Sequence, residues 1–422
     1  MNKNQFQNEP AQNQTRGPVR VSLGVLIVSI LLAGLLAFAA TFICYSVYCE
    51  KKVEEAYGRF SEFDKLTELA ELYDKTYLYG VDKDLLDEAL TQAYIYGCGD
   101  LFSHYYTAEE WAKQQADASG SSVGIGVYVT MSEVGENHIV KIMKDSPAFK
   151  AGLQENDIVV AIDGKKVKDV GYEKATGMVR GEIGSEVTFE VLRAGETLTV
   201  TLQRDYYDAQ TVFSEMFLND GKMLGYVKIT EFLSVQTTAV QFRAAVEELK
   251  KKGAEGLIFD LRDNGGGDLN AILSILDYLL PEGPLVHIYE AGVEKPTTYF
   301  AHAGEVDLPM VVLTNENTAS AAELFTAALR DYEKAEIVGV KTFGKGCGQA
   351  GKILSDGSVV FITNFLYNPP YSENYDGVGI HPDHEVALDE KWENTNLFLV
   401  PHNEDAQLSK AVSVLTGLAS EN

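Results

Sequence analysis

The sequence predicts an α/β core joined to a small β-rich domain, behind an N-terminal helical segment and one transmembrane helix. Three observations carry this reading. From about residue 206, short apolar runs alternate with helical patterns, as in βα units. Residues 124–193 hold four strand-like runs separated by turn signals. Val21 to Cys49 contains no charged residue.

In chain order, residues 1–20 are rich in Asn and Gln and read as a disordered tail. The span at 21–49 is centred on LGVLIVSILLAGLLAFAA. A bilayer core needs about 20 apolar residues. A cleaved signal peptide has an apolar region of roughly 7–15 residues ending at a small-residue site. The span is longer than that, and an uncleaved anchor is expected. No lipidation box precedes Cys44 or Cys49. Lys3, Arg16 and Arg20 precede the span and Lys51 and Lys52 follow it, which places the tail inside and the bulk of the chain outside the cytoplasm.

Residues 50–118 form the expected helical region, with Leu66, Leu69, Leu72 and Tyr73, then Leu85, Leu86, Ala89 and Leu90, at helical spacing. Asp82 or Asp84 is the expected cap of the second helix. ADASGSS at 116–122 is a small-residue boundary. The β-rich domain is expected over 119–205, with strands GIGVYV, HIVKIM, DIVVAIDG and VTFEVLR. The core is expected over 206–388, and a segment with a helix over 389–422. In the core, GLIFDLR precedes three glycines and the helix LNAILSILDYLL, and PMVVLTN precedes AAELFTAALRDY. EIVGVKTFG and SVVFITNF are further strands. There is no solenoid-type repeat.

The formal net charge is −27 and no basic run is present, which argues against nucleic acid as a partner. The 422 residues fit roughly two or three domains. Of the four cysteines, only Cys98 and Cys347 lie outside the span and its border, and no metal spacing or disulfide framework is implied. No metal or cofactor is expected.

VKTFGKGCGQ, at 340–349, imitates a phosphate loop, since Gly339-x4-Gly344-Lys345 has Walker spacing. Gly346 stands where the magnesium ligand belongs, and the segment leads to a strand rather than a helix. Lys345 therefore needs a partner to carry chemistry. Ser320 sits between PMVVLTN and AAELFTAAL, at a strand-to-helix turn where ligands bind in α/β sheets. Ser320-x-x-Glu323 is also a capping box, and Thr318 is an alternative cap that would free Ser320. A serine nucleophile needs a base. The seven histidines fall in no Ser–His–Asp signature, and GxSxG and GNSGG are absent. A desolvated neutral lysine is the other known base. Glycines at 344, 346 and 348 let the chain bend around such an amine. Gly265-Gly266-Gly267 opens a helix, and its N–H groups can form an anion nest.

These segments together resemble the C-terminal processing peptidases, or tail-specific proteases, which are Ser–Lys endopeptidases with an inserted PDZ domain. The resemblance runs from about Tyr57 to Leu415. It rests on ASAAE, TFGKGCGQ, DLRDNGGG and GIHPD, and on the PDZ-like stretch SPAFKAGLQENDIVVAIDG. It implies Ser320 as nucleophile, Lys345 as general base and Gln349 as the group that orients the lysine. It implies oxyanion donors from Gly265 or Gly266 together with Ala321. Residues 123–204 then form the PDZ domain, with Gly124-Ile125-Gly126 receiving a peptide C-terminal carboxylate beside GVYVT. Arg180 would couple that domain to the core. Substrates would be proteins with exposed C-termini, and flanking helices would pair two copies as a homodimer. Two departures stand out. Cys347-Gly348 replaces the usual small residue and valine and puts a thiol near the lysine, which would loosen the loop or make it oxidation-sensitive. NPPYSENYDGVGIHPD lacks the usual Tyr-Thr-Pro and basic residue. The rival reading is a PDZ-type peptide-binding or regulatory protein with an inert protease core. Loss of Ser320, Lys345 or Gln349 would have marked it, and all three are present.

Overall fold

The computed structural model describes residues 22–60, 63–117, 121–132, 135–219, 221–393 and 395–421. The expected tail at 1–20, Val21 and residues 118–120 of the ADASGSS boundary lie outside these. The chain divides into two compact units, residues 1–87 and 88–422.

In the first unit, α1 (Leu23–Phe60) carries the 30-residue stretch Leu23–Lys52, whose most apolar window has a mean hydropathy of 2.7 and is nowhere buried. That is long and apolar enough to cross a bilayer core of ~30 Å. α2 (Asp64–Thr76) follows, then α3 (Lys83–Gly97), which runs across the unit boundary. Asp82 caps α3, its carboxylate accepting from the N–H groups of Asp84 and Leu85 at 3.2 and 3.1 Å. No residue of α2 or α3 is buried.

In the second unit, the expected all-helical region contains a strand, β1 (His104–Tyr106), before α4 (Ala108–Asp117). Three alternating residues are too few to register as a period. What fixes the strand is distant, because His104 stacks on Phe361 with ring centroids 4.9 Å apart.

The β-rich domain comprises β2 (Ser121–Gly124), β3 (Val127–Met131), β4 (Asn137–Ile142), α5 (Pro147–Ala151), β5 (Ile158–Ile162), β6 (Lys165–Lys166), α6 (Val167–Val170), α7 (Tyr172–Val179), β7 (Glu186–Arg193), β8 (Glu196–Gln203) and β9 (Asp205–Asp208). Its main sheet runs β3-β4-β5-β7-β8, leaving β3 on an open edge. β7 shows why it folds: Val187, Phe189 and Val191 alternate inward and are all fully buried.

The core holds β10 (Val212–Asn219), β11 (Lys222–Ile229), α8 (Val240–Lys251), β12 (Gly256–Asp260), α9 (Leu269–Leu279), β13 (Gly283–Glu290), β14 (Thr297–Ala301), β15 (Met310–Thr314), α10 (Ala321–Asp331), β16 (Ala335–Gly339), β17 (Cys347–Ile353), β18 (Val359–Asn368), β19 (His384–Glu385) and α11 (Ala406–Glu421). One sheet runs β10-β11-β12-β15-β16-β19, parallel from β11 onward. Its central strands β12 and β15 are buried on both faces, so they read as continuous apolar runs. Leu257 and Phe259 face α8, α9 and α10, while Ile258 faces α11 with Leu408, Ala411 and Leu415. α11 sits so close that a Cβ on Gly256 would fall 2.9 Å from Leu415 Cδ1.

A second, antiparallel sheet orders β1-β18-β13-β14, with β17 on the other side of β18. The hairpins β10–β11 and β13–β14 did not stand out in the sequence. A buried ion network ties the end of β12 to α11. Arg262 bonds Asp260 at 2.7 Å, Asp405 at 2.8 Å and Gln407 at 3.0 Å. Burial alone would raise the Asp260 carboxyl, but Arg262 and Lys228 outweigh it and hold it well below the usual range.

Candidate active site

The buried strand β15 delivers the chain into a tight turn, and α10 leaves it. Ser320 lies at the junction with φ 58° and ψ −122°. A non-glycine residue there carries strain of about 1–3 kcal/mol and persists only when its surroundings hold it. Gly266 is one such support. A Cβ on it would meet Ser320 Cβ at 2.7 Å and Ala321 N at 2.9 Å, and its own φ is 102°.

The capping box is made chiefly from one side. Glu323 accepts the Ser320 N–H at 2.9 Å, while the Glu323 N–H donates to the Ser320 carbonyl at 2.9 Å. Thr318 is not the alternative cap. Its hydroxyl donates to the Leu261 carbonyl at 2.9 Å.

Glu323 does more than cap. It is fully buried and also accepts from Thr342 Oγ1 at 2.5 Å, Gly344 N at 2.7 Å and Lys345 N at 2.8 Å. Burial pushes its carboxyl up, and these donors pull it back. One carboxylate therefore holds the serine turn and the lysine loop together. Sequence reasoning saw Glu323 only as a cap. Thr342 and Gly344, 19 and 21 residues away, gave no local signal.

The lysine loop uses its polar backbone internally. Gly344 has φ 94°, and a Cβ there would strike Gly379 N at 2.7 Å. Gly346 N donates to Asp376 Oδ1 at 2.9 Å, and Asn374 Nδ2 donates to the Gly346 carbonyl at 2.9 Å. So the segment that departs from the expected Tyr-Thr-Pro pattern folds onto the lysine loop. Lys345 Nζ donates to Gln349 Oε1 at 3.1 Å, and Gln349 Nε2 donates to Thr363 Oγ1 at 3.0 Å. The ammonium also lies 4.6 Å from the centroid of the Phe102 ring. Among the described residues, no hydrogen bond joins Lys345 Nζ to Ser320 Oγ. The hydroxyl of Ser320 instead meets Tyr367 Oη at 3.2 Å, and Tyr375 Oη donates to the Ser320 carbonyl at 3.4 Å. The sequence flagged none of Phe102, Tyr367 or Tyr375.

Of the three expected oxyanion donors, Gly266 and Ala321 lie beside Ser320. The Gly266 N–H is already given to Asn264 Oδ1 at 2.8 Å, contrary to the expectation of a free donor. Gly265 is exposed, with open space around it. Ala321 opens α10, so its N–H has no partner within the helix. Cys347 is buried, and burial followed by Asp376 pushes its thiol up to about 11. That opposes the expected ease of oxidation, which requires thiolate.

In the β-rich domain, Ile125 packs into the core, and Gly126 has φ 73° and no room for a Cβ, which would overlap Ser146 Cβ at 2.3 Å. Beyond this loop β3 presents its edge. Val129 pairs with Ile139, whose N–H and C=O bond Asp157 and Asn156 on the opposite side. The pair is thus of the non-hydrogen-bonded kind, and the polar groups of Val129 face the open edge. There the Tyr172 hydroxyl donates to the Val129 carbonyl at 2.9 Å.

In this structure Arg180 makes no bond that couples this domain to the core. It is exposed at the end of α7 and makes no hydrogen bond or ion pair among the described residues. The contact runs through Tyr128 instead. Its hydroxyl donates to the Gln210 carbonyl at 3.2 Å, and its ring meets Phe213 and Phe398 at 5.9 and 6.3 Å.

The profile of Peptidase family S41 matches residues 223–386, and the PDZ domain profile matches 123–203. The chain is 34% identical over 330 residues to the carboxy-terminal processing protease CtpA of Bacillus subtilis, covering 78% of this chain and 70% of that one. It is 30% identical over 414 residues to a probable CtpA-like serine protease of Staphylococcus saprophyticus, covering 96% and 81%. In fold it resembles a putative S41 protease from Bacteroides fragilis, with a TM-score of 0.54 at 20% identity over 76% of this chain and 92% of that one. A serine turn and a lysine loop held on one carboxylate, beside a PDZ domain, are thus found in a chain that belongs to the C-terminal processing proteases of the serine type.

Proposed function

We propose that this peptidase is held in the membrane by α1, with its tail inside and its catalytic part outside the cytoplasm, and that it cleaves by a Ser320–Lys345 mechanism. Ser320 Oγ attacks a peptide carbonyl, and the neutral Lys345 amine takes its proton. Gln349 orients that amine. The N–H of Ala321 receives the developing oxyanion together with a donor from the 265–267 turn, where Gly266 must first release Asn264. Water then hydrolyses the acyl-enzyme. The step requires the lysine amine to leave the Phe102 ring and reach Oγ, so the arrangement described here fits a resting site. The PDZ domain takes exposed protein C-termini by adding them as a strand to β3. The exposed apolar side chains of α2 and α3, such as Leu72, Leu85 and Tyr94, suit pairing of two copies.

The single observation that supports the mechanism best is the Glu323 carboxylate, which binds the N–H of Ser320 and the N–H of Lys345 at once. The test uses the full chain in detergent with β-casein. Wild type should cleave it, and Ser320→Ala and Lys345→Ala should each lose activity by about 10³-fold or more. Equal cleavage by all three proteins would sink the mechanism.

A further inference from the structure

The Tyr367 phenol lies within hydrogen-bond reach of two oxygens, the Lys345 carbonyl and Ser320 Oγ. A phenol has one hydrogen, and a carbonyl can only accept. The hydrogen of Tyr367 therefore goes to Lys345, and the Ser320 hydroxyl must be the donor in the other contact, at 3.2 Å. Among the described residues, no other side chain hydrogen-bonds Ser320 Oγ.

The phenol is well placed for such a task. Tyr367 is only 4% exposed and sits near the end of β18, where its ring packs against Tyr375 at 6.1 Å. Earlier on the same strand, across a bulge at Asn364, Thr363 holds Gln349. β18 thus supports the lysine amine through one residue and the serine hydroxyl through another, four positions along. Burial also pushes the Tyr367 phenol well above its usual range, so it stays protonated wherever the enzyme works.

We propose that Tyr367 is a further positioning residue of this site, an inference that rests on the Ser320–Lys345 reading. Its oxygen holds the Ser320 hydrogen toward the lysine loop, and its own hydrogen locks onto the Lys345 carbonyl. Nucleophile and base loop are registered through one atom. In the attack, the Lys345 amine reaches Oγ, the Ser320 hydrogen leaves the Tyr367 oxygen for it, the Oγ–H bond breaks and the proton passes to Lys345 Nζ. Oγ bonds the substrate carbonyl carbon, and the carbonyl π pair moves onto oxygen. Tyr367 keeps its hydrogen throughout. Without the phenol, Oγ is free to turn among its staggered rotamers and the base loop loses a tether.

The test compares wild type, Tyr367→Phe and Ser320→Ala as full chains in detergent. Two readouts are taken: the kinetics of β-casein cleavage, and the rate at which a fluorophosphonate labels the serine. Tyr367→Phe should lower kcat by about 10- to 100-fold with KM nearly unchanged, and slow labelling by a similar factor. Wild-type kcat and labelling in Tyr367→Phe would overturn the proposal, as would a raised KM alone, which marks a substrate contact. If Ser320→Ala still cleaves or takes the label, the nucleophile is wrong; if it is silent while Tyr367→Phe is fully active, only the role of Tyr367 is wrong. Should Tyr367→Phe fail to fold, 3-fluorotyrosine at position 367 keeps the ring and alters only the phenol. A change in labelling rate of about two- to fivefold is expected, and an unchanged rate overturns the proposal.

Discussion

The Ser320 turn and the Lys345 loop meet at Glu323 but are built in opposite ways. The serine turn is rigid by compression. Its backbone is strained at φ 58°, and it is wedged between fully buried β15, buried α10 and the backbone of Gly266. The lysine loop is held by tethers instead. Its backbone is pinned by Glu323, Asp376 and Asn374, while the amine at its tip is half-buried between Gln349 and Phe102. The proposed nucleophile is thus fixed at its backbone, and the proposed base is fixed at its root, with an amine that is only half-buried.

Breaking the shared anchor should have the largest effect. In Glu323→Gln, the amide nitrogen cannot accept, so at least one of four donors faces another donor. Stability should fall by about 1–3 kcal/mol in urea unfolding, and casein cleavage by about 10²-fold or more. Retention of half the activity would show that the two elements are held independently.

The two sides should then respond unequally. In Gly266→Ala, the new methyl meets Ser320 Cβ and backbone, at a φ of 102°, and nothing there can yield. In Gly346→Ala, the new methyl meets the Asn374 side-chain oxygen at 2.2 Å, which can turn away at the cost of its bonds, and the Asp376 backbone nitrogen at 2.8 Å, without the positive φ that adds strain at Gly266. Gly266→Ala should lose about 10- to 100-fold in fluorophosphonate labelling, and Gly346→Ala clearly less. The reverse order would mean that the compressed turn is the more adaptable element.

The smallest effect concerns Cys347, at the far end of the tethered loop. A thiol held at about 11 is ~10⁻⁴ ionised at pH 7, against ~10⁻² for one at 9.0. In a variant whose other cysteines are replaced by serine, iodoacetamide should label Cys347 slowly at neutral pH and faster toward pH 11. The sign for stability follows from the same shift. Between pH 9.0 and about 11 the unfolded thiol ionises first, so this group makes the fold less stable as pH rises. Labelling at pH 8 as fast as in urea would show that the loop opens readily.

Much of this arrangement was legible in the sequence. Short apolar runs marked β12 and β15, helical periodicity marked α9 and α10, and the family resemblance singled out Ser320, Lys345 and Gln349. What escaped notice was long-range or ambiguous. β1 is three residues long and depends on Phe361, 257 residues away from His104. Glu323 matched a local capping rule so well that its longer-range bonds were hidden. Tyr367 read as one more aromatic in a strand. Arg180 followed a pattern whose partner is absent from its surroundings here, and the domain contact passes to Tyr128, which nothing local distinguishes from its neighbours.

The Tyr172 hydroxyl on the edge of β3 bears on selectivity. A peptide that pairs with this strand, as proposed above, must share the Val129 carbonyl with a phenol on its second lone pair or displace it. Displacement exchanges one hydrogen bond for another, with little net gain. Affinity must then come from bonds further along the strand, which only an extended tail several residues long can make. A short or folded end would dissociate before it engaged, so the edge would discriminate by the length of free chain before any side chain is read.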